Sequence, residues 1–312
     1  MISVELESWV VSTVARSLAF STPLLWAALG EIYAERAGVV NLGVEGMMIL
    51  GAVAGFITAQ TTGSPLLGIV AAASVGGLAG LLHAFIAITL RADQYVSGLA
   101  LTILGLGLAG LVGRAYVGVP LENPMRAVTV PGLSSLPIVG PALFTNQHLL
   151  TYAGLVVAVL LSVLLFTTRL GMVIRSAGES PAATDALGIN VSLVRYACVV
   201  FGGAMAGVAG AYLSLAYRPS WTEGMTAGMG WIALAIVIFA AWRPVRAIFA
   251  AFIFGACFHL AFRLQGVFPA EFLQMLPYLV TILSLTLIAL GRGGRRVGAP
   301  AALGVPYTRG ER

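Results

Sequence analysis

Long apolar stretches separated by short polar ones dominate this chain. Runs of about 17–25 apolar residues have the length that an α-helix needs to cross a bilayer. The pattern predicts eight to ten such helices, with nine best defined near residues 9–29, 42–59, 66–90, 95–117, 149–166, 196–217, 229–241, 247–263 and 273–290. The seventh is short, and a half-length element is expected between 30 and 41. The expected fold is therefore an all-α polytopic membrane protein.

One polar interruption, residues 31–48, lies between the first two apolar runs. It brings Glu35, Arg36, Asn41 and Glu45 close together, with glycines between them. Ionisable groups at membrane depth are costly and usually face a bundle interior or a water-filled path. Glycine-interrupted helices are common in transporter binding regions. We therefore expect a broken or re-entrant second helix, with Arg36, Asn41 and Glu45 as candidate residues of a translocation pathway.

Two interpretations of Asn41 and Glu45 stay open at this level. The residues are four apart and are expected to share a helix face, where they would either line the pathway or fix helix packing and gating. Arg16, inside the first apolar run, is a candidate partner for Glu45. On the outer side, Trp221 and Glu223 are candidates for contact with another protein, and anchoring at the membrane interface is the alternative for the tryptophan.

The composition excludes several classes of protein. The chain is 59% hydrophobic and 9% charged, against roughly 25% charged residues in soluble domains. All 17 basic residues are arginine, and a P-loop needs a lysine against the nucleotide phosphates. Cys198 and Cys257 lie in apolar runs, and the three histidines are scattered. We expect no metal site, no cofactor and no nucleotide site in this chain, and no nucleic-acid partner.

Arginine placement predicts the orientation. Cytoplasmic loops carry an excess of basic residues, which places the arginine-rich loop 167–195 and the C-terminus inside and the N-terminus outside. The proline-rich segment 119–148 then lies outside. The predicted organisation is a transmembrane domain over residues 1–291, followed by a disordered basic cytoplasmic tail over 292–312. The expected location is the bacterial plasma (inner) membrane.

The loop 167–195 contains a short helix with clear boundaries. Ser180 is a good N-cap, Pro181 suits the first turn, and Gly188 suits the position after the end. Ala183 and Leu187 are expected on one face. So short a helix is marginal in water and would gain stability by docking into a groove of another protein. A simple connector between two membrane helices is the alternative.

Three stretches resemble motifs of one family. Residues 175–190 resemble the coupling loop of ABC-importer permeases in the ribose, nucleoside and branched-chain amino acid group. Residues 35–48 resemble the second-helix motif of that group in its nucleoside-type form. Residues 228–244 resemble a third motif in which a glycine usually precedes the tryptophan, and Ala241 takes that position here. The resemblance covers residues 15–290.

This resemblance implies a permease that forms half of a translocation pathway for a small polar solute, and the nucleoside-type motif favours nucleosides. It implies three partners, namely an ATPase that binds ATP, a second related permease subunit and an extracytoplasmic solute-binding protein. The implied ATPase-coupling residues are Gly178, Glu179, Ser180, Pro181, Ala183, Asp185, Leu187 and Gly188. Alternatives are a sugar or branched-chain amino acid permease, or a secondary transporter in which Glu45 titrates. The motifs of intramembrane enzymes are missing from the sequence, so an enzyme is not expected.

Overall fold

The structure, a computed structural model, is built almost entirely of helices. It describes residues 2–265, 268–269, 272–273, 275–276, 279–283, 286 and 298–309, and of residues 2–8 only the backbone. Helix accounts for 73% of the described residues. The two strands, Ala127–Val128 (β1) and Gln147–His148 (β2), are two residues long and pair antiparallel. The predicted all-helical class is confirmed.

Eleven α-helices follow one another in the described part of the chain. They are α1 (Ile2–Arg36), α2 (Val44–Thr62), α3 (Pro65–Ala84), α4 (Gln94–Gly113), α5 (Val139–Leu143), α6 (Leu149–Thr167), α7 (Arg169–Glu179), α8 (Pro181–Ala186), α9 (Val191–Tyr212), α10 (Met229–Phe239) and α11 (Pro244–Leu264). π-helical turns extend α3 over Phe85–Thr89 and α9 over Leu213–Tyr217, and a 3₁₀ turn extends α4 over Arg114–Tyr116.

Six of these helices are long and apolar enough to cross a membrane. They are α2, α3, α4, α6, α9 and α11, with the extensions of α3, α4 and α9 included. α10 is apolar but has only 11 residues. α1 continues without a break to Arg36, so the half-length element expected after residue 30 is the end of this helix. Half of the predicted span 273–290 lies outside the described residues, and the count of nine and the orientation stay predictions.

Close contact between glycines joins α2, α3 and α9. A Cβ atom at Gly51 of α2 would lie 2.5 Å from the carbonyl oxygen of Gly207 in α9. On α3, a Cβ at Gly80 would lie 2.8 Å from the carbonyl oxygen of Val199. Small residues let helix backbones approach in this way, and such contacts take the place of the hydrophobic effect between helices in lipid. α2 and α9, the two most buried of the candidate membrane spans, therefore pack closely against each other and against α3.

One end of the bundle is covered by residues 117–148. The amide of Met125 donates to the carbonyl of Leu215, and that of Leu121 to the carbonyl of Pro219. Trp221 is fully buried beneath this segment against Gly113. The two roles that the sequence suggested for Trp221, a partner contact or a membrane-interface anchor, are therefore wrong. Glu223, by contrast, is exposed.

The other end, which we call the arginine-rich end, carries α7, α8 and the beginnings of α4, α9 and α11. Residues 298–309 lie against it. The amide of Ala302 donates to the carbonyl of Gly178 at 2.9 Å, and the amide of Gly304 to that of Gly38 at 3.1 Å. The sequence predicted disorder from residue 292 onwards. For residues 298–309 that prediction is wrong, because backbone hydrogen bonds fix them to the bundle, whereas 291–297 and 310–312 lie outside the described residues.

Candidate functional site

The chain leaves the helical conformation between Arg36 and Val44. Residues 37–43 form an irregular segment that is buried apart from the half-buried Leu42. Gly38 begins it with φ +93°, a conformation that only glycine adopts without strain. The predicted break thus lies before α2, and α2 itself is uninterrupted. Irregular backbone at membrane depth is tolerated where protein buries it, as it does here.

Asn41 shapes the turn that leads into α2. Its side-chain oxygen accepts a hydrogen bond from the backbone amide of Gly43 at 2.9 Å. The backbone amide of Asn41 donates to the Glu31 carboxylate at 3.0 Å. Its Nδ2 contacts the sulfur of Met47 at 3.4 Å. Asn41 therefore stabilises a local turn, as asparagine commonly does. It lies outside α2, so the prediction that it shares a helix face with Glu45 is wrong.

Two polar side chains that sequence reasoning missed support the same segment. The amide of Val40 donates to Oε1 of Gln94 at 2.8 Å, and its carbonyl contacts Nε2 of His83 at 3.0 Å. Nδ1 of His83 contacts the Ser97 hydroxyl at 3.0 Å. The histidine is fully buried. Pairing both groups of a buried peptide unit avoids a substantial desolvation penalty, so these residues stabilise the break.

Glu45, in the first turn of α2, is bound to the beginning of α10. Its carboxylate accepts from the amide of Gly230 at 2.7 Å, from the amide of Gly228 at 3.0 Å and from the hydroxyl of Thr226. The side chain is only 4% exposed. A Cβ atom at Gly230 would lie 2.5 Å from the Cα of Glu45, so a side chain there would separate the two helices. Glu45 therefore satisfies the free amides of a helix N-terminus.

α10 is half the length of a membrane span. Its 11 residues extend about 16 Å, against a hydrocarbon core of about 30 Å. The N-terminus of α10 therefore lies within the bundle, beside the N-terminus of α2. A carboxylate is favourable at the positive end of a helix dipole. The Glu45 carboxylate lies at two such ends, the N-termini of α2 and α10. Interrupted helices with internal N-termini are typical of transporter binding regions.

Arg36 contacts the other end of α10. Its Nε donates to the carbonyl of Trp242 at 3.2 Å and its Nη2 to that of Ala241 at 3.4 Å. The indole of Trp242 donates to the Glu35 carboxylate. A cation is favourable at the C-terminal end of a helix. The predicted motif therefore contacts α10 at both ends, with an acid at its start and a base at its end.

Arg16 is not part of this arrangement. It borders a cavity of about 610 Å³ at the end opposite the arginine-rich one, together with Phe20, His148, Tyr217 and Arg218. The predicted pairing of Arg16 with Glu45 is therefore wrong. Within the described part of the chain, no three His, Cys, Asp or Glu side chains come close enough to bind a metal ion.

The predicted coupling residues lie together at the arginine-rich end. α8 begins at Pro181 and ends at Ala186, and Gly188 follows with φ +82°. Ser180 occupies the N-cap position, but its side chain makes no capping hydrogen bond. Thr184 is buried and contacts the Ser176 hydroxyl at 2.6 Å.

The two faces of α8 differ. Ala183 is exposed, and Leu187, just past the helix end, is 77% exposed. Thr184, by contrast, is buried on the other face of α8, and Gly178 at the end of α7 is buried against the carbonyl of Arg36. An exposed leucine beside an exposed alanine gives α8 the small apolar face that the sequence predicted.

Comparison with known proteins gives the family. Residues 13–285 match the family described as a branched-chain amino acid transport system permease component. The chain belongs to this family of transport permeases. A guanosine ABC transporter permease of Bacillus subtilis is 36% identical over 96% of this chain and 97% of its own. A nucleoside ABC transporter permease of Lactococcus lactis is 36% identical over 94% and 96%.

Sugar permeases are similar to the same degree. A Haloferax volcanii protein provisionally named a glucose ABC transporter permease is 36% identical over 93% of this chain and 95% of its own. Each of these three organisms also has a second named ABC permease with lower identity to this chain, 22%, 25% or 26%. No solved structure matches.

The family confirms the identification as an ABC permease of the nucleoside and sugar type, a multi-pass membrane protein rather than an enzyme. The third motif, which overlaps the short seventh apolar run, contains Gly228, Gly230 and Trp242. The short run was the sequence signal that pointed to this region. Thr226 and Gln94 carried no such signal.

Proposed function

We propose that this permease forms half of the translocation pathway of an ABC importer that takes up nucleosides. The observation that carries the proposal is its 36% identity, over almost the whole chain, to permeases named for guanosine and for nucleosides. A residue pattern of nucleoside type in the second-helix motif agrees with it. Transport is inward, from an extracytoplasmic solute-binding protein to the cytoplasm.

A sugar is the second candidate solute. The Haloferax volcanii relative has the same identity to this chain, so identity alone does not separate the two classes. Uptake of labelled guanosine by the reconstituted transporter, with unlabelled nucleosides or glucose as competitors, separates them. Competition by other nucleosides and not by glucose supports the nucleoside proposal. Uptake of labelled glucose without uptake of labelled guanosine would replace it with the sugar alternative.

The second half of the pathway is a different, related chain. In each of the three organisms the relative at 36% identity is accompanied by a more distant ABC permease whose name gives the same solute class. Two different permeases for one class of solute indicate a heterodimeric pathway. Co-purification of this chain with such a partner checks the proposal, and a functional homodimer would contradict it.

α10 is the element that responds to solute and to ATP. An interrupted helix is free to tilt when contacts at its ends change, and both of its ends contact the α1–α2 region, through Arg36 and Glu45. Since Glu45 is buried and its three donors come from the protein, we assign it to gating rather than to direct contact with solute. The motif thus acts on the pathway by positioning α10.

ATP binds to a separate ATPase subunit that contacts α8 on the cytoplasmic side. The apolar face of Ala183 and Leu187 is exposed, and α7 joins α8 to the end of α1, where Gly178 lies against Arg36. Closure of the ATPase pair would therefore move α8 and, through α7, the end of α1. Alternating access around the pathway follows from that movement.

Replacement of Ala183 by arginine tests this contact. Burying an unpaired charge at a docked surface costs several kcal/mol, so Ala183→Arg should abolish ATPase binding or ATP-driven uptake while membrane insertion remains normal. Ala92→Arg is the matched control, because Ala92 is an exposed alanine at the same end outside α8. Normal uptake by Ala183→Arg would refute the ATPase contact and favour a secondary transporter.

A further inference from the structure

The C-terminal segment 298–309, which we call the tail segment, contacts several elements of the arginine-rich end at once. Its backbone amides at Ala302 and Gly304 donate to the carbonyls of Gly178 and Gly38. The amide of Ala301 donates to the Glu179 carboxylate at 3.2 Å. These contacts join the end of α7 to the beginning of the irregular segment 37–43.

Arg195 of α9 joins the tail segment to the beginning of segment 37–43. It is 2% exposed. Its Nε donates to the carbonyl of Ala37 at 3.1 Å and its Nη1 to the carbonyl of Val305 at 3.0 Å. A buried arginine that donates to both segments fixes the distance between them, since separation would leave a buried donor without its acceptor. The tail segment and residues 37–38 therefore form one unit.

The tail segment also contacts α8. Nε of Arg309 lies 3.2 Å from the Asp185 carboxylate, and Tyr307 lines the same cleft as these two side chains. α8 has six residues, too few to be stable without tertiary contacts. On its inner side it has the contact between Thr184 and Ser176. The position of α8 relative to segment 37–43 thus depends in part on the tail segment.

From these contacts we propose that the tail segment is a positioning element that transmits movement of α8 to segment 37–43, and so to Asn41, Glu45 and α10. The path runs from Asp185 through Tyr307 and Arg309 to Gly304, and from there to Gly38. It is separate from the covalent path through α7. This proposal rests on the role of α8 as the ATPase contact, which the Ala183→Arg variant tests independently.

The test compares transport with ATP hydrolysis in the assembled complex. A chain that ends after residue 297 should bind the ATPase and hydrolyse ATP, because the apolar face of α8 is intact. Its coupling ratio, the number of solute molecules taken up per ATP hydrolysed, should fall at least about fivefold, the lower range of coupling between linked sites. A purely structural role would reduce the amount of complex and leave this ratio unchanged.

Two glycine variants test the same point without truncation. Gly304→Val should lower the ratio, because Gly304 has φ +76° and a Cβ there would lie 3.3 Å from the Tyr95 hydroxyl. Gly298→Val is the matched control, since a Cβ at Gly298 meets nothing within 4 Å. It should leave the ratio unchanged.

The outcomes separate this proposal from the function on which it rests. A lower ratio in the truncated and Gly304→Val forms, with ATPase binding retained, supports the tail segment as the transmitting element. A wild-type ratio in Gly304→Val, whatever the yield of complex, overturns it. Loss of hydrolysis in Ala183→Arg together with a wild-type ratio in both tail variants would leave the ATPase contact standing and reject the tail segment alone.

Discussion

Two carboxylates, Glu45 and Asp185, show how differently this permease stabilises its short helices. Glu45 lies 4% exposed against the beginning of α10 and accepts from two backbone amides and one hydroxyl. Asp185 lies on α8 and pairs with Arg309, whose side chain is 82% exposed. The first carboxylate has only neutral partners, and the second has a full opposite charge.

This difference shows that the presence of an opposite charge does not predict how much a carboxylate contributes to stability. An exposed ion pair contributes about 0–1 kcal/mol, because water and salt screen it. Buried donors that lose their acceptor cost about 1–3 kcal/mol each. We therefore expect the neutral contacts of Glu45 to matter more for stability than the ion pair of Asp185, and three substitutions test that ranking.

The largest effect is expected for Glu45→Ala. It leaves the amides of Gly228 and Gly230 and the hydroxyl of Thr226 without an acceptor, at a cost of about 3–5 kcal/mol in the free energy of unfolding. Thermal unfolding of the purified permease measures the change. Glu223→Ala is the matched control, because Glu223 precedes the same Gly-Met pair and is exposed. Equal stability of the two variants would contradict the assigned role of Glu45.

Glu45→Gln should have an intermediate effect. Glutamine keeps the size of the side chain but replaces one acceptor oxygen by a donor. Its amide nitrogen must then face either the Gly230 amide or the pair formed by Gly228 and Thr226. The loss of one acceptor should lower the free energy of unfolding by about 1–2 kcal/mol. Unfolding that is indistinguishable from wild type would show that one of the two oxygens of Glu45 does not need to accept.

The comparison also shows which parts could be predicted from sequence. Apolar length located α2, α3, α4, α6, α9 and α11 to within a few residues, because span length is set by the bilayer. Capping residues located α8, since Pro181 and Gly188 mark its limits through local backbone preferences. These features depend on short stretches of chain.

Contacts between distant stretches could not be predicted in this way. The partners of Glu45 lie more than 180 residues further along the chain, whereas the candidate partner that the sequence suggested was Arg16 in the first apolar run. Backbone amides leave no mark in the sequence, so Gly228 and Gly230 were not recognised as donors. The order of the tail segment was not predicted for the same reason. Its composition resembles that of a disordered chain, but its backbone amides make specific hydrogen bonds to the bundle.

Arg309→Ala should have a small effect on stability. It removes the ion pair with Asp185, but the other contacts of the tail segment use its backbone. We expect a loss within about 0.5 kcal/mol, as for most exposed pairs. Thermal unfolding at low and high salt measures it, and the difference from wild type should shrink as salt rises. A loss as large as that of Glu45→Gln would reverse the ranking of the two carboxylates.

A small stabilising effect is expected for Ala241→Gly. Ala241 has φ +50°, in the left-handed region that costs a non-glycine residue about 1–2 kcal/mol. The related motif usually has a glycine at this position, and glycine adopts the conformation without that strain, although it loses more entropy on folding. We expect a net gain of about 0.5 kcal/mol, with the carbonyl that accepts from Arg36 unchanged. The preceding residue is the matched control, because Ala240 has φ −72° and glycine there should cost about 0.5–1 kcal/mol. If thermal unfolding shows both substitutions to be destabilising, the turn after α10 is not under the strain that its backbone angles indicate.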